Sequence, residues 1–518
     1  MIIAVYVFQL LHALAFTMMW IIIASVSLLF GVSLHWIYRN HRMMKLSRQI
    51  PGPPVFPVVG NAFKFMVRPQ DFIRAIGDLI KEYGDVFRIW LGSDLNIIVS
   101  NPDDVKLLLT NNKLSVKGPQ YKFMADVIGG GILSGSGTPW KKHRKIAAPN
   151  YSKLAIENYT DIFKYEIDFL LQKYTETPKG QQVDIYKHIV QTTSYIVCQT
   201  LMGVSRKEML ELPHLQYLID KSPRMYDIVF DRMTKWYLQL DLVFRLTNYH
   251  KQLKKFLKYL LEFSNAILAC RMDKLNRWEQ SERDLINSED DSKSNAQLSV
   301  IDRFLLSQEL DSTELIEETF TIFTSSQEAT AKIASTVLLM MAYHPECQER
   351  LYKEIVSVVG NKDVPVTNED IKQMQYLDMV FKEVIRLFPI AGLLQRTVTE
   401  DIAISTCTIP AGASLVVPMY HIHRDPRHWS KPDAFDPERF NPENMQTRNP
   451  YSYIPFSLGP MDCLGRHFAT KLVKSIVIRF MLNYKLTTFQ KYEDLRIMIA
   501  ISATTMDGFP ATLTRRCT

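Results

Sequence analysis

The 518-residue sequence predicts a mainly α protein: a single large helical domain with a minor β-rich portion, preceded by an N-terminal transmembrane helix. Three observations support this fold class. The first forty residues are almost free of charge, most of the body shows helical apolar spacing, and short runs such as 86–91 and 415–418 are typical of strands. No internal repeat and no Pro/Gly/Ser-rich linker divides the chain after residue 54, so one body is expected.

The overall composition narrows the class of protein. Hydrophobic residues make up 47% and charged residues 22%, which is typical of a folded chain rather than a disordered one. The net charge of +7 is modest and no long Lys/Arg run occurs, so no nucleic-acid partner is expected. The six cysteines include no C-x-x-C pair, which favours neither a disulfide framework nor a zinc site and suits a reducing compartment.

The N-terminal segment, residues 1–38, is predicted to be an uncleaved membrane anchor. Its apolar stretch is long enough for a bilayer span, which needs about 20 such residues. Basic residues follow from Arg39 to Arg48 and place the rest of the chain in the cytosol by the positive-inside rule. A cleaved signal peptide fits less well, because the stretch is long and has no basic residues before it.

Residues 39–54 are predicted to be a basic and proline-rich linker. Its last part, Pro51-Gly52-Pro53-Pro54, should be extended because proline cannot continue a helix. Residues 55–518 then form the cytosolic domain. Within it, the charged stretch 279–295 predicts a surface loop.

Cys463 is the cysteine whose neighbours indicate chemistry. It lies in the segment 456–465, FSLGPMDCLG, directly before a helical pattern. At a helix start, unpaired N–H groups and the helix dipole stabilise a thiolate. Gly459 and Gly465 allow a tight turn and a close approach to a flat ligand. A thiolate suits a heme iron, although a cysteine between two glycines is also compatible with a structural role.

A second motif lies on a predicted helix that ends before Pro389. Glu383 and Arg386 are three residues apart, so they share one face. Alone, such a pair would be a surface ion pair that contributes little to the stability of the fold. Arg439 follows some fifty residues later and offers a second guanidinium, and a glutamate between two arginines can fix an otherwise loose loop region.

In order and spacing, Glu383-x-x-Arg386, the segment 437–440 (PERF) and the Cys463 loop together resemble the cytochrome P450 superfamily. The resemblance extends from about Pro51 to the C-terminus. Two further segments, YLDMVFKE ending at Glu383 and HRDP at 423–426, are similar to the microsomal clan that contains the fatty-acid ω-hydroxylases, particularly its insect members.

This resemblance implies the cytochrome P450 fold and heme b, with Cys463 as the axial thiolate ligand of the iron. Trp140 and Arg144 match the W-x-x-x-R helix, whose Trp and Arg hold heme propionates, and Arg396 resembles a strand arginine with the same role. The residues implied for cofactor binding are Trp140, Arg144, Arg396, Phe456, Gly459, Cys463 and Gly465, and those implied for a structural triad are Glu383, Arg386 and Arg439.

The first departure from the family pattern is Met461, which stands where an arginine that pairs with a heme propionate is usual. One charge-assisted hydrogen bond, worth about 1.5–3 kcal/mol, is therefore missing. Weaker heme retention is expected as a result.

The second departure lies in the long central helix, where residues 325–330 align with A/G-G-x-D/E-T-T. The acid is kept as Glu328, but Ala329 replaces the alcohol that is usually central to proton delivery, and Thr330 aligns with the second threonine. A missing member of such a relay can lower the rate roughly 10²–10⁴-fold. Ser326 replaces a glycine and is a candidate to hold a water. Glu328, Thr330 and Ser326 are thus the candidate catalytic residues.

The leading functional hypothesis is a monooxygenase that inserts one oxygen atom of O2 into an apolar substrate such as a fatty acid, hormone or xenobiotic. The resemblance implies electrons from NADPH through NADPH-cytochrome P450 reductase, with cytochrome b5 as a second candidate partner. It also implies a single-pass protein of the endoplasmic reticulum (microsomal) membrane. Ala329 and Met461 keep two alternatives open: an oxygen-independent heme-thiolate isomerase or dehydratase, and a non-catalytic heme-binding protein.

Overall fold

The computed structural model describes residues 2–178, 180–283, 298–360 and 365–516. The α-helices are α1 (Ile2–Ser47), α2 (Phe72–Tyr83), α3 (Pro102–Thr110), α4 (Tyr121–Ile128), α5 (Gly137–Ala147), α6 (Lys153–Glu157), α7 (Thr160–Thr175), α8 (Ile185–Thr200), α9 (Arg206–Glu211), α10 (Leu215–Thr234), α11 (Asp241–Arg245), α12 (Asn248–Arg283), α13 (Val300–Ser307), α14 (Ser312–Tyr343), α15 (Pro345–Val359), α16 (Asn368–Gln373), α17 (Gln375–Leu387), α18 (Met419–Ile422), α19 (Pro442–Met445) and α20 (Arg466–Asn483). The β-strands are β1 (Val86–Leu91), β2 (Asp94–Val99), β3 (Gln182–Asp184), β4 (Leu394–Thr397), β5 (Ile402–Ala403), β6 (Thr408–Ile409), β7 (Ser414–Val417), β8 (Tyr484–Thr487), β9 (Ile497–Ile499), β10 (Ala503–Thr505) and β11 (Pro510–Arg515). Helices dominate and the strands are short, which confirms the predicted fold class.

The long helix α14 runs through the body and forms one wall of the site. Asp311 caps its N-terminus: its side chain accepts the Glu314 N–H, and the Glu314 side chain accepts the Asp311 N–H in return. Residues 330–342 are all buried, because α14 packs against α8, α17 and α20. This packing fixes the helix and, with it, the side chains of the preceding turns.

A four-stranded sheet in the order β1-β2-β7-β4 lies beside the helices. Strand β2 is antiparallel to β1 and parallel to β7, and β4 is antiparallel to β7. The register of β4 pairs Arg396 with Leu415, and an isolated bridge joins Arg396 to Lys117. The sheet edge therefore places Arg396 beside a residue from a much earlier loop.

Helix α1 continues beyond residue 38, where the anchor was predicted to end, as far as Ser47. Residues 39–47 of the predicted linker are helical because the chain has no proline or glycine there. The stretch Leu14–Ser47 is long and apolar enough to cross a membrane. The division of the chain at residues 38 and 54 stays a prediction.

The C-terminal part of α1 packs on the body. Trp36 is buried, and its ring meets that of Trp90 edge-on with 5.6 Å between centroids. Asn40 is also buried and donates to the Trp36 carbonyl at 2.9 Å. The residues before Val32 whose side chains are described are exposed. Helix α1 thus has an outer part whose described side chains are exposed and an inner part that belongs to the core.

The loop predicted at 279–295 is only partly testable. Residues 279–283 belong to α12, so the prediction of a loop is wrong for them. Residues 284–295 lie outside the described residues.

We expect deletion of residues 2–32 to leave the body folded, whereas deletion of residues 2–48 should destabilise it. The longer deletion removes Trp36, and loss of a buried tryptophan costs about 3–5 kcal/mol. Denaturant midpoints of both truncated proteins, with Trp36→Ala in the full chain as a third sample, would measure the difference. Equal midpoints for all three proteins would show that Trp36 does not stabilise the body.

Candidate active site

A cavity of about 880 Å³ lies between α14 and the segment 456–465. Its walls are mostly apolar. The side chains that give it this character include Phe65, Phe72, Ile76, Met124, Phe230, Ile333, Ile390, Leu393 and Ile501. From α14 the cavity is lined by Ser326, Glu328, Ala329 and Thr330, and from the loop by Phe456, Cys463 and Gly465. The fold therefore brings most of the predicted site residues to one space.

The Cys463 loop is held by its own backbone. The Cys463 N–H donates to the Phe456 carbonyl at 2.9 Å, and α20 begins three residues later at Arg466, with Gly465 as its N-cap. The Cys463 side chain is exposed to the cavity although protein surrounds it. Burial raises the pKa of the thiol, and the Gly465 N–H lowers it. The cysteine thus lies at a helix start, as the sequence predicts.

The two glycines of this loop have different functions. Gly459 has a φ of 72°, and a β-carbon there would overlap the carbonyl of Leu109 at the end of α3. It seats the loop on α3 and is not among the residues that line the cavity, so its role in cofactor binding stays a prediction. A β-carbon on Gly465 would have Tyr151 Cε1 as its nearest neighbour, at 3.9 Å, so this glycine keeps space open at the cavity wall.

Arg144 lines the cavity but is already paired. Its Nη2 lies 2.6 Å from Asp462 Oδ1, and its Nη1 donates to the Asp462 carbonyl at 2.8 Å. Arg466 also reaches Asp462, at 3.2 Å. The neighbouring Trp140 donates its indole N–H to the Ile132 carbonyl at 3.1 Å. Any anion in the cavity would therefore compete with Asp462 for the guanidinium of Arg144.

Lys117 is a cavity residue that the sequence analysis missed. Its backbone bridges to Arg396, and both side chains line the cavity with Arg144. Neither Lys117 nor Arg396 pairs with a carboxylate in the part of the chain that the structure describes. Burial, together with the charges of Arg396 and Arg144, lowers the pKa of Lys117 well below its usual value. The position of Lys117 in the cavity follows from its backbone bridge to β4. Its sequence neighbours form no motif that would predict this position.

These cations test whether a heme fits. Arg396 is buried, and a buried guanidinium without an anionic partner is costly. The cavity thus holds three cations, Lys117, Arg396 and Arg144, and the thiol of Cys463. This combination matches a flat iron-binding group that carries two carboxylates. Met461 lines the cavity as well, without a charge. The residues present therefore fit heme.

The candidate proton-delivery residues of α14 are tightly bonded. Glu328 Oε1 lies 2.6 Å from Lys332 Nζ, and both side chains are buried. Burial raises the pKa of Glu328, while Lys332 lowers it. The Thr330 hydroxyl donates to the Ser326 carbonyl at 2.8 Å, within its own helix. Ala329 lines the cavity and has no hydroxyl.

The predicted triad residues meet in the interior. Arg386 makes two bonds to Glu383, Nε–Oε2 at 2.6 Å and Nη2–Oε1 at 2.8 Å, and neither side chain is exposed. Arg439 Nε lies 3.4 Å from Glu383 Oε1. Arg386 Nη1 also donates to the carbonyls of His423 and Pro432. The triad thus ties α17 to the segment that follows α18.

Comparison with known proteins decides the family. Residues 50–506 match the family model described as Cytochrome P450. The chain belongs to the cytochrome P450 family.

Its relatives cover nearly the whole chain. It is similar to "Cytochrome P450 4d1" of Drosophila melanogaster, with 30% identity over 93% of this chain and 96% of that protein. It is also similar to "Cytochrome P450 4c3" of the same species, with 28% identity over 92% and 91%, and to human "Cytochrome P450 4V2", with 29% identity over 87% of each. This cytochrome P450 is therefore a heme-thiolate monooxygenase.

His423 predicts an acid-sensitive fold for this cytochrome P450. Burial, with the nearby charges of Arg386 and Arg424, lowers the pKa of His423 to about 3, and its Nε2 accepts the Ile454 N–H at 2.9 Å. Between the unfolded pKa of about 6.5 and the folded value, the unfolded chain binds the extra proton, so stability falls as the pH falls.

We expect protonation of His423 in the unfolded chain to lower the free energy of unfolding by about 2 kcal/mol between neutral pH and a pH of about 5. His423→Gln should flatten this part of the pH profile, since an amide keeps a hydrogen-bonding group near Ile454 but does not titrate. Denaturant midpoints at several pH values would measure both proteins. Parallel pH profiles would contradict the assignment to His423.

Lys117→Met should speed heme loss about tenfold or more, because a charge-assisted hydrogen bond is worth about 1.5–3 kcal/mol. Transfer to an excess of apo-globin would give the rate. The control is Lys113→Met, which removes an exposed lysine that pairs with Glu400 at 2.7 Å. Equal rates in the two variants would show that Lys117 does not help to retain heme.

Proposed function

We propose that this cytochrome P450 inserts one oxygen atom of O2 into a small apolar substrate, with electrons from NADPH delivered by a reductase. The observation that carries the proposal is the mostly apolar cavity of about 880 Å³ that reaches the Cys463 thiol. A cavity of this size and character suits a drug-sized or lipid-like molecule. Fatty acids, hormones and xenobiotics all fit that description.

In this proposal Cys463 would hold the iron of heme through its thiolate, and heme, when bound, would supply the chemistry that activates oxygen. Lys117, Arg396 and Arg144 bind the heme carboxylates, and Trp140 supports Arg144, whose guanidinium lies 5.6 Å from the indole ring centroid. Phe456 and Gly465 complete the wall around the thiolate. The apolar walls hold the substrate and exclude water.

The electron donor is proposed to bind on the side of Cys463. Lys141 and Lys145 are exposed on α5, the helix whose Arg144 contacts the Cys463 loop, and Lys153 is exposed nearby. These positive charges favour an acidic partner and predict association that weakens with salt. NADPH-cytochrome P450 reductase is the proposed donor, with cytochrome b5 as a second partner.

The location is proposed to be the endoplasmic reticulum membrane. Residues 1–38 are the single-pass anchor, 39–54 the connection and 55–518 the cytosolic catalytic domain. The exposed apolar side chains of α1 before Val32 support this arrangement, since they would otherwise face water.

A second candidate function rests on Ala329. Without a hydroxyl at this position, an oxygen-independent isomerase or dehydratase, or a heme protein without turnover, also suits the cavity. These alternatives need no NADPH. Consumption of NADPH therefore separates them from the monooxygenase.

We expect the full-length protein, reconstituted with reductase in lipid, to oxidise NADPH in response to an apolar substrate and to place one atom from ¹⁸O2 in the product. Cys463→Ala should lose both this activity and the thiolate-type band of the reduced carbon monoxide complex. Cys407→Ala, which removes a half-buried cysteine away from the cavity, should keep both. A normal thiolate-type band without NADPH consumption across a broad substrate panel would favour the second candidate function.

A further inference from the structure

The apolar wall of the cavity has one polar corner, formed by Glu328 and Lys332 of α14 and by Ser502 between β9 and β10. Glu328 and Lys332 are four residues apart, so they share one face of the helix. Glu328 and Ser502 line the cavity, and the buried Lys332 connects them. Their neighbours Ile333 and Ile501 also line the cavity. The polar corner therefore lies directly beside apolar surface.

One carboxylate oxygen of the polar corner has no partner. Lys332 Nζ lies 2.6 Å from Glu328 Oε1 and donates to Ser502 Oγ. Glu328 Oε2 is buried and has no hydrogen-bond partner within the described part of the chain. The Glu328 side chain is only 5% exposed, and an unbonded carboxylate oxygen in such a place is costly. Because Glu328 lines the cavity, a molecule bound there can supply the missing hydrogen bond.

The nearby protein hydroxyls do not supply it. Tyr226 of α10 lines the cavity, but its hydroxyl donates to the Thr324 carbonyl at 3.0 Å. Ala329, next to Glu328 in the chain, has no hydroxyl. The Tyr186 hydroxyl is buried and also has no partner among the described residues, and it does not line the cavity. A donor for Glu328 Oε2 is therefore expected from the ligand.

Ser502 provides the complementary group. Its oxygen accepts a hydrogen bond from Lys332, which leaves the Ser502 hydrogen available, since a hydroxyl donates one bond and accepts two. Because Lys332 Nζ contacts both side chains, Ser502 Oγ and the Glu328 carboxylate are close neighbours. An acceptor in Glu328 Oε2 and a donor in Ser502 Oγ match a ligand hydroxyl, which donates and accepts at once.

The charges around the polar corner favour a neutral ligand group. Burial raises the pKa of Glu328, Lys332 lowers it, and Asp227 of α10 raises it. Asp227 Oδ2 in turn lies 3.8 Å from Arg224 Nη1. Two negative and two positive side chains thus face this part of the cavity. A ligand ammonium or carboxylate would therefore gain little attraction to offset the cost of its burial.

We propose that the polar corner binds a hydroxyl group of the substrate, so that apolar alcohols are the preferred substrate class. This inference rests on the proposed function and narrows its substrate. The ligand hydroxyl donates to Glu328 Oε2 and accepts from Ser502 Oγ. Its carbon skeleton packs on the adjoining apolar wall, which includes Ile333 and Ile501. Lys332 is a positioning residue, because it holds Glu328 and Ser502 together.

The first test measures binding to the heme-loaded, full-length protein by calorimetry. No NADPH is present, so the predicted role of Glu328 in proton delivery does not enter. Decyl alcohol, methyl nonyl ether and undecane have equal numbers of non-hydrogen atoms, but only the alcohol can donate a hydrogen bond and undecane can neither donate nor accept.

Each variant should change the binding of a different set of probes. Glu328→Gln should weaken binding of decyl alcohol about tenfold and change binding of the ether less than about twofold, because it removes a charged acceptor. Ser502→Ala should weaken binding of the alcohol and the ether several-fold, since both accept from Ser502. Neither variant should affect undecane. The double variant Glu328→Gln/Lys332→Met, which leaves no unmatched charge, should show the same selective loss for the alcohol.

Three matched controls should keep binding of decyl alcohol within about twofold of the wild type. Glu317→Gln changes an α14 carboxylate that accepts the Gly130 N–H and does not line the cavity. Ser335→Ala removes a buried α14 hydroxyl that does not line the cavity. Tyr186→Phe removes the other unpartnered hydroxyl. A loss in Tyr186→Phe as large as in Glu328→Gln would show that Tyr186 serves Glu328, and would overturn the proposal.

Other results would also overturn the binding of a hydroxyl. Equal losses for decyl alcohol and undecane would show that the variants change the shape of the cavity rather than a hydrogen bond. Stronger dependence of decyl amine than of decyl alcohol on Glu328 would assign the polar corner to an ammonium group. No binding of decyl alcohol to the wild type would leave the polar corner without the ligand proposed for it.

The second test follows turnover with reductase and NADPH. A hydroxyl fixed at the polar corner holds one end of the chain in place, so decyl alcohol should give fewer oxidation products than undecane. Ser502→Ala should broaden the products from decyl alcohol and leave those from undecane unchanged. The same broad set of products from both probes in the wild type would contradict a fixed hydroxyl.

The outcomes separate the polar corner from the proposed function. If decyl alcohol binds with the expected dependence on Glu328 and Ser502 but no NADPH is consumed with any probe, the monooxygenase proposal fails and the polar corner stands. If undecane and decyl alcohol are both oxidised but binding does not depend on these two residues, the polar corner fails and the monooxygenase stands. The carbon monoxide band of each variant shows that its heme site is folded.

Discussion

Glu383 is a fully buried carboxylate, and the position of the cysteine loop depends on how its charge is matched. Arg386 binds both of its oxygens, and Arg439 Nε lies 3.4 Å from Oε1. Removal of one partner from such a group typically costs about 3–5 kcal/mol, because it leaves a buried charge unmatched. The remaining donors of Arg386 bind carbonyls in the segment 423–434. In that segment, His423 Nε2 accepts a hydrogen bond from the Ile454 N–H, and Ile454 lies just before the Cys463 loop.

A second electrostatic constraint acts within the cavity. Lys117, Arg144 and Arg396 repel one another there, and of these three cations Asp462 pairs with Arg144, while it also pairs with Arg466. An arginine at position 461, as in the family pattern, would add a fourth cation to this group. Lys117 thus gives a physical reason why an uncharged Met461 is tolerated.

The sequence predicted those parts of the site that depend on short spacings. Glu383 and Arg386 share a helix face at i,i+3, and Cys463 lies beside a helix start, so local pattern was sufficient. Lys117 and the contact of Gly459 with α3 escaped prediction because each depends on a partner far away in the chain. The helical continuation of α1 to Ser47 escaped for a different reason: basic residues suggest a linker but do not end a helix.

The two departures from the family pattern act through different parts of the cavity. Met461 belongs to the loop that surrounds the thiolate, where Asp462 and the cations decide how firmly an anionic group is held. Ala329 belongs to α14, where it lines the cavity without a hydroxyl, and its predicted effect is on the passage of protons. Since the two positions share no hydrogen-bonded partner among the described residues, their effects should be additive. Weak cofactor retention therefore would not imply poor coupling of electrons to product.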